Sequence, residues 1–272
     1  MRDHLREIVA QRQGLLQKIC AAREYLQARM LQALQEAGIF RHWAFVGGTA
    51  LRFLYSIPRF SEDLDFSKVI AAPLPDFQTS AARMKTAFEA EGYSVALAVK
   101  SDKTVASAFV KFPGLLHELG LSPHPTQILS IKVEVDTNPP AGAVLDTTLV
   151  RRLGLTLNLT HHDKASLLAG KVHALLTRTY TKGRDLYDLI WYLADPEWPA
   201  PNMDFLAAAL EQTGWTGHVP TATTWRSILA ERLASVNWPA AQADVSPFLE
   251  READRNLVTR DSAMELLNSR SR

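Results

Sequence analysis

Apolar residues recur along this chain at two periods, which separate helical from extended segments. Apolar positions three and four apart, from Ile19 through Leu26 to Leu34, predict an amphipathic helix that Gly38 stops. HWAFVGG, residues 42–48, then predicts a short buried strand running into a glycine turn, with a helix over TALRFLYS. Further strands are predicted where apolar and polar residues alternate or β-branched residues cluster, in DLDFSKVI, YSVALAVKS, TVASAFVKF and ILSIKVEVD, with a helix over DFQTSAARMKTAFEAEG.

The second half of the chain returns to the helical period. Asp163 is a plausible N-cap for a helix that starts at Lys164, and GRDLYDLIWYLAD predicts the next helix. Three more helices are predicted in MDFLAAALEQTG, TTWRSILAERLASV and SAMELLNSR. The sequence therefore predicts an N-terminal helix and a small α/β core over residues 1–150, followed by a helical C-terminal domain over residues 151–272.

Composition and charge exclude several classes of protein. The 272 residues contain 30 Lys and Arg against 29 Asp and Glu, so no global field points to a polyanionic partner. The single cysteine, Cys20, excludes a disulfide framework and a Cys-built zinc site. Because the chain also lacks a signal peptide and an apolar run of about 20 residues, we expect a cytoplasmic protein without a membrane span.

A local excess of positive charge modifies this picture. Residues 145–188 carry seven Lys and Arg against four Asp and Glu. Such an excess is what contact with a polyanion requires, although a solvated helix face explains it equally well.

The glycine pair between the first predicted strand and its helix is a candidate anion site. Gly47 and Gly48 would let backbone N–H groups and the helix N-terminus face a phosphate, and Thr49 would add a hydroxyl. A tight turn without a ligand is the alternative.

Two aspartates form the clearest chemical signal. Asp63 and Asp65 are two residues apart on a predicted strand and project from one face, while Leu64 and Phe66 anchor the other. Two carboxylates this close repel unless a cation compensates, and their oxygens suit Mg²⁺ that also binds substrate phosphates. A solvated pair of aspartates remains the alternative.

A third carboxylate is available in ILSIKVEVD. Alternation places Glu134 and Asp136 on the polar face of that strand, so either could complete a three-carboxylate cage for two metal ions if the two strands are neighbours. Glu134 is the better candidate, because Asp136 lies at the strand end and could only start a turn.

Four segments together resemble the AbiEii/AbiGii nucleotidyltransferase toxins, a family within the polymerase-β-like nucleotidyltransferase superfamily that includes the mycobacterial MenT toxins. The resemblance lies in GGTAL at 47–51, RFSEDLDF at 59–66, KVHAL at 171–175 and KGRDLYDL at 182–189. It implies a polymerase-β-like α/β (α+β) core and an enzyme of a type IV toxin–antitoxin system.

The resemblance also implies substrates, partners and residue roles. The substrates would be a nucleoside triphosphate (NTP), used with two Mg²⁺ ions, and the acceptor stem of a tRNA, whose modified 3′ end could no longer be aminoacylated. The partner would be a cognate AbiEi-like antitoxin, and we expect a monomer. Carried over by position, Asp63, Asp65, Lys171 and Asp188 are catalytic. Metal would be held by Asp63 and Asp65, with Glu134 as third ligand; nucleotide would be bound by Gly47, Gly48, Thr49, Arg59, Ser61 and Lys171.

The later residues also have structural interpretations. Lys171 could carry its ammonium to solvent, Asp185 could merely favour the helix dipole, and Arg184 could pair with a carboxylate or hold a phosphate. Ser61, on the face of Asp63 by strand alternation, is either a turn serine or a regulatory phosphorylation site, as family toxins suggest. His161 and His162 are interpreted as a strand end, not as zinc ligands.

Two other functions stay open at this stage. The same chemistry could act on a protein hydroxyl or on a small molecule such as an aminoglycoside, which the near-neutral charge permits. A catalytically silent binding partner is the third hypothesis, although the three carboxylates expected of an active enzyme are present.

Overall fold

The computed structural model describes residues 2–69, 71–73 and 75–269, which form two compact units. The first unit comprises Met1–Ser56, Phe60–Pro139 and Thr147–His161; the second comprises Ile57–Arg59, Pro140–Asp146 and His162–Arg272. The sequence predicted a single division at residue 150. The two compact units differ from that division in two short segments, 57–59 and 140–146, which group with the second unit, and in 151–161, which group with the first.

A seven-stranded mixed sheet is the centre of the fold, with the order β3-β4-β5-β2-β1-β7-β6. Strand β2 is antiparallel to β1 and parallel to β5, and β4 is antiparallel to both β3 and β5. The strands are β1 (Trp43–Val46), β2 (Leu64–Lys68), β3 (Ala96–Lys100), β4 (Val105–Pro113), β5 (Ile128–Asp136), β6 (Leu145–Arg152) and β7 (Leu155–His162).

One face of this sheet is buried against helices of the first unit. Alternation along β5 buries Ile131, Val133 and Val135, and the ring of Phe112 in β4 meets Phe88 of α4 edge to face at 4.9 Å. The opposite face carries the polar residues of the same strands, so the sheet presents chemistry on one side only. The helices of this unit are α1 (Arg2–Ala10), α2 (Leu15–Glu36), α3 (Gly47–Tyr55), α4 (Phe77–Ala90) and α5 (Leu115–Glu118).

The second unit is helical in its described residues. Its first helix begins where the sequence predicted, because the Asp163 carboxylate accepts a hydrogen bond from the Ser166 backbone N–H at 2.8 Å. At the start of the next helix, a β-carbon on Gly183 would lie 1.9 Å from the Ala241 carbonyl oxygen, so only glycine allows this close approach. The helices are α6 (Lys164–Thr177), α7 (Gly183–Ala194), α8 (Met203–Gln212), α9 (Trp225–Leu233), α10 (Trp238–Val245) and α11 (Arg260–Ser269).

Most elements expected from the sequence are confirmed, and so is the mixed α/β class of the fold. The sequence missed α1, α5, α10 and the hairpin strands β6 and β7, although the strand-end interpretation of His161 and His162 is confirmed. Two predicted segments end on Ile70 and Arg270, which lie outside the described residues. Among the described helices, none combines the length and hydropathy needed to cross a membrane.

Candidate active site

The glycine turn between β1 and α3 packs directly against a carboxylate. Gly47 has a positive φ of 75°, and a β-carbon there would lie 2.5 Å from Asp65 Oδ2. Glycine is therefore required both for the turn and for the contact. No side chain caps the start of α3, so its first backbone N–H groups can bind a ligand.

Thr49 acts on the site through the backbone. Its side chain is fully buried, and its hydroxyl donates a hydrogen bond to the Asp63 carbonyl oxygen. We expected Thr49 to cradle a triphosphate; this contact instead makes it a positioning residue that fixes the chain at Asp63.

Asp65 and Glu134 are direct neighbours on the polar face of the sheet. The parallel register of β2 and β5 sets Asp65 opposite Glu134, with the buried Leu64 opposite Val133. The strand adjacency that the sequence left conditional is therefore present. Asp63 comes two residues before Asp65, immediately ahead of β2.

Asp136 lies two residues beyond Glu134 at the end of β5, opposite Ser67. Its Oδ1 accepts a hydrogen bond from the Asn138 backbone N–H at 3.0 Å, which makes it the start of a turn. Burial raises the pKa of Asp136 above its ordinary value.

The expected three-carboxylate cage is not assembled. Glu134 Oε1 lies 2.7 Å from Lys132 Nζ, and among the residues that the structure describes no three His, Cys, Asp or Glu side chains are close enough to hold a metal ion. Asp63 and Asp65 still fit a magnesium ion that arrives with a nucleotide, because Mg²⁺ commonly takes one or two carboxylates together with substrate phosphates.

Ser61 lies outside the strand that was used to orient it. Strand β2 begins at Leu64, so alternation does not extend back to Ser61, and its carbonyl oxygen accepts a hydrogen bond from Gln27 Nε2 at 3.2 Å. Strand alternation therefore does not place the Ser61 hydroxyl on the face of Asp63 and Asp65.

A buried cluster of charged side chains occupies the second unit. Lys171 Nζ lies 2.6 Å from Asp185 Oδ1 and 2.8 Å from Asp188 Oδ2. Arg59 donates from Nε to Asp188 Oδ1 at 2.5 Å and from Nη2 to Oδ2 at 2.6 Å, a bidentate pair in which neither side chain is more than 2% exposed. Arg178 forms an ion pair with Asp185. We call these five residues the ion-pair cluster.

Pairing of opposite charges favours the charged forms of Lys171, Asp185 and Asp188. Burial alone would raise the pKa of Asp188, but Arg59 and Lys171 outweigh it and hold that pKa below the ordinary value. The pKa of Asp185 is lowered in the same way by Lys171 and Arg178 against its burial. For Lys171, burial would lower the pKa, and the two carboxylates more than compensate and raise it.

The ion-pair cluster changes several interpretations made from the sequence. The ammonium of Lys171 lies on two carboxylates, so the solvent-seeking interpretation is wrong, as is the interpretation of Asp185 as a residue that only favours the helix dipole. Arg184 lies over the Phe248 ring at 4.3 Å, and Asp185 and Asp188 are instead paired by Lys171, Arg178 and Arg59.

Sequence reasoning missed Arg178 and underrated Asp185. The spacing of three between Asp185 and Asp188 places both carboxylates on one face of α7, a signal that could have identified the pair. No local sequence pattern predicts a role for Arg178, which occupies the C-cap position of α6.

A glycine turn beside carboxylates can bind the phosphates of a nucleotide together with Mg²⁺. The sequence matches the family AbiEii, described as nucleotidyl transferase AbiEii toxin of a type IV toxin–antitoxin system, over residues 29–260. The chain belongs to this family and is a nucleotidyltransferase enzyme.

Solved structures with the same fold are distant in sequence. MenT4, a nucleotidyltransferase toxin from Mycobacterium tuberculosis, is 17% identical with a TM-score of 0.54, covering 98% of this chain and 89% of its own. JHP933 from Helicobacter pylori is 18% identical with a TM-score of 0.53, covering 92% of each chain. A search of curated protein sequences gives no significant match.

Proposed function

We propose that this enzyme transfers a nucleoside monophosphate from an NTP to the 3′ end of a tRNA, and that the modified tRNA can no longer be aminoacylated. The observation that supports the proposal is the position of Asp65, which lies against Gly47 and directly beside Glu134. That position combines a phosphate-binding turn with the carboxylates that nucleotidyl transfer requires. The protein would act in the cytoplasm as a monomer, opposed by an AbiEi-like antitoxin.

The nucleotide would bind where the glycine turn meets the carboxylates. Backbone N–H groups at the start of α3 would hold its phosphates, and Asp63 and Asp65 would hold Mg²⁺. Bound there, the metal would supply charge neutralisation on the phosphates. Gly47 keeps this space open, because any side chain would displace the Asp65 carboxylate.

The transfer itself is a substitution at the α-phosphorus. The oxygen of the acceptor 3′ hydroxyl forms the new bond, the bond from the α-phosphorus to the bridging oxygen breaks, pyrophosphate leaves, and the hydroxyl proton passes to solvent. Glu134 lies next to Asp65 and is paired with Lys132, so it would orient the acceptor instead of serving as a full metal ligand.

Lys171 and Asp188 of the second unit stay proposed catalytic residues, as the resemblance to the family implies, and Asp188 would hold the Lys171 ammonium in position. Arg59 binds Asp188 through both guanidinium nitrogens, which supports an anchoring role for Arg59 over direct contact with the nucleotide. Preorganised cations of this kind commonly contribute a hundredfold or more to rate, roughly 3 kcal/mol.

Labelled nucleotides and total cellular RNA test this function. We expect metal-dependent labelling of a tRNA-sized band by at least one of the four NTPs, lost in Asp63→Asn. Labelled protein bands or labelled aminoglycoside with unlabelled RNA would favour the other acceptors, and no NTP turnover at all would favour a silent binding partner.

We further propose that Ser61 is a regulatory phosphorylation site. A phosphate adds about −1.5 to −2 charge, two residues before Asp63, and would repel an incoming triphosphate. Ser61→Glu should lose transfer activity and Ser61→Ala should keep it, as measured with labelled NTP. An active Ser61→Glu enzyme would leave Ser61 as a turn residue.

A further inference from the structure

The polar face of the sheet extends beyond the carboxylates across β5, β4 and β3. Residues paired in register share a face, so this surface can be followed from Glu134 to Ser107 and then to Lys100. One pair of residues along, Lys132 is paired with Phe109, and Phe109 with Ala98. The carboxylates and this surface therefore belong to one continuous face within the first unit.

Positive charge and an aromatic ring lie together on this surface. Phe109 is 37% exposed, and the small Ala98 beside it leaves the ring uncovered. Lys132 Nζ lies 5.8 Å from the centre of that ring. Lys111 lies two residues along β4 from Phe109, on the same face. We call Lys100, Lys111, Lys132 and Phe109 the Lys–Phe face.

Two of these lysines have no counter-charge among the described residues. Lys132 is paired with Glu134, whereas Lys100 and Lys111 have no carboxylate partner among the residues that the structure describes. Among the described residues of these strands, the acidic side chains of this face are Asp65, Glu134 and Asp136, on β2 and β5. The strands β3 and β4 contribute lysines and Phe109 to the face and no acidic side chain.

We propose that the Lys–Phe face binds the single-stranded 3′ end of the acceptor RNA, an inference that rests on the proposed function. Exposed rings on a sheet stack nucleic-acid bases, and uncompensated lysines beside them bind the phosphates. The base stacked on Phe109 would belong to a nucleotide upstream of the reacting hydroxyl.

The dimensions of the sheet fit this arrangement. Phe109 and Asp65 are separated by two strand spacings and two residues along the strand, about 12 Å from standard sheet geometry. This equals roughly three to four stacked nucleotides at about 3.4 Å each. An RNA end lying along the face would therefore bring its terminal hydroxyl to the carboxylates.

Binding of a short fluorescein-labelled single-stranded RNA to the full chain, without NTP, tests the proposal by fluorescence anisotropy. Phe109→Leu should weaken binding roughly tenfold or more, because leucine keeps apolar bulk but loses stacking, and Phe109→Trp should retain affinity. Lys100→Gln with Lys111→Gln should lower the slope of log affinity against log salt by about 1.4. Lys85→Gln, on α4 at the covered side of the sheet, is the matched control and should change neither quantity.

The transfer reaction separates this inference from the proposed function. In Phe109→Leu, the KM for RNA should rise while the KM for NTP stays unchanged. Wild-type affinity and salt slope in these variants, with RNA still labelled, would overturn the Lys–Phe face and leave the function standing. Equal competition by a duplex RNA would also overturn it. An enzyme that labels no RNA would overturn the proposed function, and this inference with it.

Discussion

The carboxylates of this enzyme lie in two different environments, one partly exposed and one fully buried. Asp65 is partly exposed and lies beside Glu134, whereas Asp188 is fully buried and paired with Arg59 and Lys171. The first arrangement tolerates loss of a charge and the second does not, because an unpaired buried charge is far more costly than an exposed one.

Asp65→Asn should abolish transfer and leave the fold intact. Asparagine keeps the shape but removes the charge needed for Mg²⁺, and it relieves repulsion from Asp63 and Glu134, so the free energy of unfolding should hold or rise. Activity assays with labelled NTP and urea unfolding measure the two effects. Asp102→Asn, in the turn between β3 and β4, is the control and should stay active. An active Asp65→Asn that melts earlier would make the aspartate structural.

Lys171→Met should lose both activity and stability. The substitution leaves Asp185 and Asp188 with one cation fewer in a buried site, a type of change that costs about 3–5 kcal/mol. Urea unfolding gives this number, and kcat is compared where both proteins are folded. Lys171→Arg should recover more stability than activity, since a planar guanidinium does not replace a compact ammonium.

Lys164→Met is the matched control for Lys171→Met, on the same helix seven residues earlier. Lys164 lies over the Trp198 ring at 4.8 Å, and its loss should cost about 1 kcal/mol or less. If Lys171→Met had the same free energy of unfolding as the wild type, the ion-pair cluster would not stabilise the second unit.

At the scale of secondary-structure elements, the site is determined by where β1 ends and α3 begins, and by the register between β2 and β5. Strand β1 ends and helix α3 begins within one turn, and the register of β2 with β5 then selects which carboxylates meet. The Gly47 turn is where these two constraints converge, since its α-carbon packs on Asp65 of β2.

Gly47→Ala should inactivate the enzyme by displacing Asp65. The methyl group would lie 2.5 Å from Asp65 Oδ2 at a φ of 75°, so it adds a clash to the backbone strain. Gly92→Ala carries the strain alone, because its φ is 82° with nothing within 4 Å of the added carbon. Both variants should lose about 1 kcal/mol of unfolding free energy to strain, and only Gly47→Ala should lose transfer. Equal activities would remove the contact with Asp65 from the mechanism.

At the scale of the whole molecule, pH acts on ionisable groups that the helical second unit buries or pairs. Burial lowers the pKa of His173, with Arg178 acting in the same direction, and the ion-pair cluster lowers the pKa values of Asp185 and Asp188. In each case the unfolded chain binds protons more readily than the folded protein, so stability falls as pH falls. The histidine contributes to this fall below about pH 6.5 and the aspartates below about pH 4.

His173→Gln should remove the upper stage of this acid destabilisation. The wild type should unfold at lower urea concentration at pH 5.5 than at pH 7.5. The variant should show a smaller difference, because it lacks the half-buried imidazole that resists protonation in the folded protein. His124→Gln, at an exposed position, should behave as the wild type. An unchanged pH dependence in His173→Gln would assign the acid sensitivity to other groups.

Features that depend on interactions between residues close in sequence could be predicted, and features that depend on residues far apart in sequence could not. Helix α6 begins at Lys164 because the Asp163 carboxylate accepts a hydrogen bond from the backbone N–H of Ser166, three residues later. This contact is local, so the sequence specifies it. Strand β6 was missed because exposed positions such as Leu149 interrupt the alternation of apolar and polar residues. Strand β7 does alternate, with Leu157 and Leu159 buried, so its pattern could have identified it. Residues 2–10 were missed because only Leu5 and Val9 mark the buried side of α1.

The sequence by itself determined the helices and strands of strong period, the glycine turn, the two aspartates and the family, because each of these is written in neighbouring residues. Only the tertiary structure decided that Glu134 and not Asp136 lies beside Asp65, that Thr49 binds backbone, and that Arg59 pairs with Asp188 across 129 positions. Strand register and long-range ion pairs depend on how apolar faces pack, and packing is a property of the whole chain.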